Sequence, residues 1–87
     1  MSTFRLTVAA PDGNRFCGEA AALFVRGTEG DLAVLAGHVP FITAVKPGAV
    51  TIEDPDGDQR RAHVDGGLLT VAADGVTLLA GSFEWEK

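Results

Sequence analysis

The sequence predicts an all-β fold of the sandwich or barrel type, and three observations carry that reading. Short apolar/polar alternations, broken by Gly, Pro and Asp, recur about every eight to twelve residues, while a helical period is hard to find. The 87 residues suffice for one domain over residues 1–87 and no more, since a chain of this size buries only ~60–65% of its unfolded surface and cannot supply two cores. A hydrophobic content of 46% and a mean hydropathy of +0.17 permit that core without a long uncharged apolar run, so the pattern is that of a soluble globular domain.

The elements follow in order. "TFRLTVAA" sets Phe4, Leu6 and Val8 against Arg5 and Thr7 and stops at "PDGN", where Pro11 presets a turn and Gly13 accepts a positive φ. "RFCG" continues as strand. "EAAALFVR", residues 19–26, is Ala-rich, but Leu23, Phe24 and Val25 lead straight into Gly27, which predicts a single strand buried on both faces. "DLAVLA" and "PFITAV" are two further strands, and Lys46-Pro47-Gly48 is a tight turn into "AVTIED". "DPDGDQ" is loop. "RRAHVDGG", "LLTVAADG" and "VTLLAGS" complete the pattern, with Asp74-Gly75 as a hairpin signal. The tail "FEWEK" is amphipathic and too short to fold alone as a helix.

Charge and cysteine content narrow the function classes. The net charge is −5, with seven basic residues scattered except for Arg60 and Arg61, so the clustered basic face that nucleic acid requires is missing. The N-terminal "MSTFRLTVAA" lacks the apolar stretch and cleavage site of a signal peptide, which makes the cytoplasm the expected compartment. Cys17 is alone, which rules out an intrachain disulfide and fits a small, half-buried strand residue better than a nucleophile.

Catalytic and ligand-binding chemistry finds little support. Gly27, Gly30 and Gly37 match neither the dinucleotide fingerprint nor a loop ending in Gly-Lys-Ser/Thr, and no helix follows them. They read as glycines that serve strand ends. His38 and His63 would need Asp31 or Asp65 to form a zinc site, without the clustered spacing that marks one. Asp54, Asp56 and Asp58 resemble a small calcium loop, but the twelfth position is Asp65 in place of a bidentate Glu, which leaves a solvated turn. There is no nucleophile elbow and no Tyr. Binding remains.

The order of the punctuation is more specific than any single turn. "APDGNRFCGEA", "GTEGDLAVLAGHVPFITAVKPGAV" and "VDGGLLTVAADGVTLLA" strongly resemble the N-terminal domain of the epsilon subunit of F-type ATP synthases, whose pattern runs Phe-x-Gly-Glu, Gly-x-Glu-Gly, Leu-Pro-Gly-His-x-Pro, Lys-Pro-Gly, Gly-Gly-x-x-x-Val and Val-x-Leu-Leu-Ala. The resemblance spans Leu6 to Ala80. Two residues depart from it: Ala36 stands where Pro is usual before Gly37, and Arg26 where Pro often precedes Gly27.

The resemblance implies a flattened β-sandwich of about ten short strands and a non-catalytic, cofactor-free rotor subunit of the central stalk. Such a subunit attaches gamma to the c-ring at the cytoplasmic face of the bacterial plasma membrane, touches the membrane only through that ring, and supports coupling of proton or sodium flow to ATP synthesis. Gly27, Thr28, Glu29, Gly30 and Asp31 would face the c-ring, with Glu29 and Asp31 offering carboxylates to basic loop residues. Gly37, His38, Val39 and Pro40 would face gamma, His38 as a packing and hydrogen-bonding residue. Family members commonly continue into a C-terminal helical hairpin to which inhibition and nucleotide binding are attributed. "GSFEWEK" spans only ~23–25 Å when fully extended, so the expectation is a coupling subunit without its own brake or ATP site. The competing readings are a free-standing β-sandwich interaction module with the fold reused and, more weakly, a metal-dependent enzyme built on His38 and His63.

Overall fold

In the computed structural model, which describes residues 2–37 and 39–86, ten strands and no helix account for the regular structure of the described residues. They are β1 Phe4–Ala10, β2 Gly13–Ala20, β3 Ala22–Gly27, β4 Gly30–Leu35, β5 Phe41–Val45, β6 Gly48–Glu53, β7 Gln59–Val64, β8 Gly67–Ala72, β9 Gly75–Ala80 and β10 Phe83–Trp85. Their order is β10-β7-β6-β3-β5-β8-β9-β1-β2, with β4 paired to β3 off this path. Neighbours pair antiparallel except β1 and β9, which run parallel with Leu6 opposite Val76 and Val8 opposite Leu78.

The path folds over at the junction of β3 and β5, where only Gly27 and Val45 are in register. This divides the sandwich into two halves, β5-β8-β9-β1-β2 and β4-β3-β6-β7-β10. Each half turns one face inward, as the period of two along a strand requires. Leu6, Val8, Leu69, Val71, Val76 and Leu78 from the first half meet Leu23, Val25, Val34, Val50, Ile52 and Ala62 from the second in one buried cluster. No buried polar or charged residue interrupts it among the described residues. Each large aliphatic side chain so buried contributes ~1.5–3 kcal/mol, which is how a chain this short sustains a fold.

One edge of the sandwich is closed by aromatic rings. Phe16 on β2 and Trp85 on β10 lie edge to face with centroids 6.3 Å apart, Phe83 meets Trp85 at 4.9 Å, and the Arg60 guanidinium sits 3.8 Å above the Trp85 ring. By register all four project from inner faces. They fill the gap between β2 and β10, which are not hydrogen-bonded to each other.

Three sequence expectations need correction. Residues 19–26 form two strands, because the chain bends at Ala21, whose N–H donates to the Glu53 carbonyl at 2.7 Å. The second of them, β3, is buried on one face only, with Phe24 and Arg26 exposed. Cys17 is exposed, because it lies opposite Thr7 on the outward side of β1–β2. The tail is strand where no element was assigned: Phe83 to Trp85 pair with Val64 to Ala62. The Asp54 turn is as expected, its Oδ1 accepting the N–H groups of Asp56 and Asp58 at 3.0 Å each.

Candidate functional site

The β3–β4 hairpin brings Gly27 to Asp31 together at one end of β5. Gly27 pairs with Gly30 around Thr28 and Glu29. The two turn residues keep negative φ, and Gly30 takes φ +124°, a conformation that side chains with a Cβ rarely adopt. Gly27 is buried and has no room: a Cβ there would lie 2.9 Å from Leu32 Cδ2 and 3.2 Å from the Gly30 carbonyl oxygen. The hairpin base is fastened to β5 and its exit, since the Thr28 N–H donates to the Ala44 carbonyl at 3.3 Å and the Lys46 N–H to the Arg26 carbonyl at 2.8 Å. Gly27 therefore shapes the loop, while Thr28, Glu29, Gly30 and Asp31 are exposed. Asp31 lies opposite Arg26, with Oδ1 3.2 Å from Arg26 Nε.

At the other end of β5, Gly37 holds φ +83° in the turn after β4, and Val39 and Pro40 are exposed as the chain enters β5. His38 lies outside the described residues. β5 thus links the two predicted groups, which stand about 15 Å apart for five residues of strand.

On the outer face of the first half, running from the hairpin end of β5 toward its start, is a surface that the sequence reading missed. The outward positions of the first half run in rows across the strands: Ala44, Leu68, Leu79 and Ala9 in one, Ile42, Thr70, Thr77, Thr7 and Cys17 in the next. Ile42 is 67% exposed, Leu79 49% and Leu68 42%. The row beyond them is partly charged, with Arg5 opposite Glu19. A signal was present in the doublets Leu68-Leu69 and Leu78-Leu79: neighbours in a strand point to opposite faces, so each doublet buries one leucine and presents the other.

The outer face of the second half has a different chemistry. Phe24 and Leu35 are exposed there, but among charged groups that satisfy one another. Arg26 pairs with Asp31, the Gln59 amide donates to Glu53 at 3.1 Å, and Glu86 holds His63 at 3.0 Å and Arg61 at 3.9 Å. An open groove of ≈ 510 Å³ runs over this face between Phe24, Ala33, Ala49 and the Arg26–Asp31 pair. Among the described residues no three His, Cys, Asp or Glu side chains come together as metal ligands, and no helix is long and apolar enough to cross a membrane.

Comparison with known proteins agrees with this architecture. The family model for the beta-sandwich domain of the ATP synthase delta/epsilon chain matches residues 3–86. Similar curated proteins include the ATP synthase epsilon chains of Psychrobacter cryohalolentis and Polynucleobacter necessarius subsp. necessarius, each 41% identical over 80 residues, 92% of this chain and 58% of theirs. The chain thus spans less than two thirds of the length of these relatives. Among solved structures, a chain of the Euglena gracilis mitochondrial ATP synthase (OSCP/F1/c-ring) superposes with a TM-score of 0.91 at 24% identity, covering 98% of this chain and 54% of that one. A chain of the Tetrahymena thermophila mitochondrial ATP synthase central stalk/c-ring gives 0.74 at 13% identity, covering 91% and 63%. These two similarities establish the shared fold.

Proposed function

The chain belongs to the ATP synthase delta/epsilon family through its beta-sandwich domain, and from that membership we propose that it is a non-catalytic rotor subunit that fastens the central stalk to the c-ring. Its partners are a gamma subunit and the polar loops of the ring. It sits peripherally at the cytoplasmic face of the membrane and supports coupling of ion flow to ATP synthesis. The solved structures that share the fold come from assemblies described as F1/c-ring and central stalk/c-ring, which supports this placement.

The observation that carries the reading is that β5 joins two unlike surfaces, a charged hairpin fastened at its exit and an apolar outer face that begins beside that hairpin at Ala44 and Leu68. The apolar rows of Ile42, Leu68 and Leu79 suit a broad, permanent contact with gamma. Contiguous exposed apolar residues rimmed by polar ones mark such sites. The hairpin of Thr28 to Asp31 suits a smaller charged contact with the ring. Two backbone hydrogen bonds tie that hairpin to β5 and its exit, so force entering at one surface reaches the other through a paired sheet, with no flexible linker between. Polar loop charges contribute orientation and register more than raw affinity.

The test is assembly. Reversing both carboxylates, Glu29→Lys with Asp31→Lys, should leave the domain folded, since exposed loop substitutions usually stay within ~0.5 kcal/mol. It should nonetheless reduce binding of the soluble sector to membranes and uncouple ATP-driven ion pumping. Wild-type binding and pumping by the double variant would refute the ring assignment, and failure of the unmodified chain to co-purify with gamma would favour an interaction module with another partner.

A further inference from the structure

We propose that Arg26 decides which carboxylate of the hairpin is recognised: by pairing with Asp31 it withdraws that charge, and it leaves Glu29 as the single carboxylate offered to a cationic loop residue of the ring. The inference rests on the reading of the hairpin as the ring-facing surface. Arg26 and Asp31 are directly opposite in the β3–β4 register, so their side chains share the outer face, and Arg26 Nε lies 3.2 Å from Asp31 Oδ1. The Arg26 backbone is itself fixed, its carbonyl accepting the Lys46 N–H at 2.8 Å. Glu29 is exposed at the turn and makes no hydrogen bond or ion pair with any described residue.

The consequence is electrostatic. Arg26 is 62% and Asp31 78% exposed, so the pair does little to hold the hairpin together. Its two charges cancel at a distance, however, whereas the field of Glu29 persists over a Debye length of about 8 Å. Taken over residues 26–31, one Arg against one Glu and one Asp leaves a single net negative charge, located at the tip. A ring loop approaching along β3 also meets the Arg26 guanidinium, which repels a cation there and steers it toward Glu29. Arg26 is thus a specificity-determining residue of this contact.

The prediction separates net charge from pairing. The full chain, bound to gamma, is titrated onto membranes that carry the c-ring and have been stripped of soluble sector, at low and at physiological salt. Glu29→Gln should weaken binding about tenfold. Removing the pair together, Arg26→Gln with Asp31→Asn, should stay within about twofold of wild type, since Glu29 remains. Arg26→Gln alone releases Asp31 and should bind about three- to tenfold more tightly, with a steeper loss in salt. Arg26→Lys should match wild type. A merely structural Arg26 would weaken binding when changed to Gln, and that result overturns the inference. So does a pair-deleted variant as weak as Glu29→Gln, which would make Asp31 the contact. If the triple change Arg26→Gln, Glu29→Gln, Asp31→Asn binds as wild type at both salt concentrations, the hairpin is not the ring contact and the underlying reading falls with the inference. Emission of the lone tryptophan, Trp85, reports that each variant is folded.

Discussion

The two outer faces of the sandwich cover the same core and are built on the same pleat, yet they treat solvent in opposite ways. On β3, β6 and β7 the exposed polar groups are matched within the domain: Arg26 with Asp31, Gln59 with Glu53, and Arg61 and His63 with Glu86. On β5, β8 and β9 the exposed apolar positions are Ile42, Leu68 and Leu79 beside Ala44 and a row of threonines, which no described residue covers. A face with satisfied charges is finished in water, whereas an apolar one gains stability only when another surface removes it from water. The difference teaches that the fold leaves the choice of outer residues open, and that the side proposed to face gamma is distinguished by what it lacks.

The largest contrast lies within one pair of neighbours. Leu78 is fully buried and Leu79 half exposed, so Leu78→Ala should cost about 2–5 kcal/mol of unfolding free energy, and Leu79→Ala on the isolated chain within about 0.5 kcal/mol. Chemical denaturation of both variants measures this directly. Equal losses would mean that Leu79 belongs to the core and that the apolar face is an illusion of accessibility.

A middling effect is expected where the halves meet. Trp85→Phe removes the upper part of the ring that Arg60 covers and Phe16 abuts, and it should cost about 0.5–1.5 kcal/mol. The accompanying loss of protection in hydrogen exchange should be confined to β10 and β7, with β1 and β9 unchanged. Loss spread evenly over both halves would show that the seam holds the whole sandwich, not one edge of it.

The smallest effect belongs to the charged face. Glu86→Gln removes the charge that pairs with Arg61 and hydrogen-bonds His63, among side chains between 41% and 58% exposed, and should change stability by no more than about 1 kcal/mol. Its influence should fade in high salt. A larger loss would mark this face as structural, and the contrast with the apolar side would weaken.

Much of the architecture is legible before any coordinates. Pro, Gly and Asp announce nearly every turn, as at Pro11-Asp12-Gly13 and Asp74-Gly75, and the same punctuation carries the family resemblance. What is not legible depends on contacts between distant segments. Residues 83–85 are a strand only because β7 offers an edge twenty residues away in sequence, and Ala21 interrupts a run of apolar residues because its N–H is claimed by Glu53. Cys17 faces out because β2 takes its register from β1. The exposed leucines are hidden by their buried neighbours, since a doublet raises local hydrophobicity without saying which member is inside. For the hairpin, the residues were legible and the Arg26–Asp31 pairing was not, because it follows from the register that Gly27 and Gly30 set.

Binding of gamma by two variants of equal size separates the faces most directly. One carries Ile42→Thr, Leu68→Thr and Leu79→Thr on the apolar face, and the other carries Phe24→Thr, Arg61→Gln and Glu53→Gln on the charged face. Threonine suits an exposed strand position, so both should remain folded. The first should lose affinity for purified gamma by about a hundredfold or more, as removal of an interface's central apolar residues does, and the second should bind within about threefold of wild type. Undiminished binding by the first variant, or a greater loss in the second, would contradict the assignment of the apolar face to gamma.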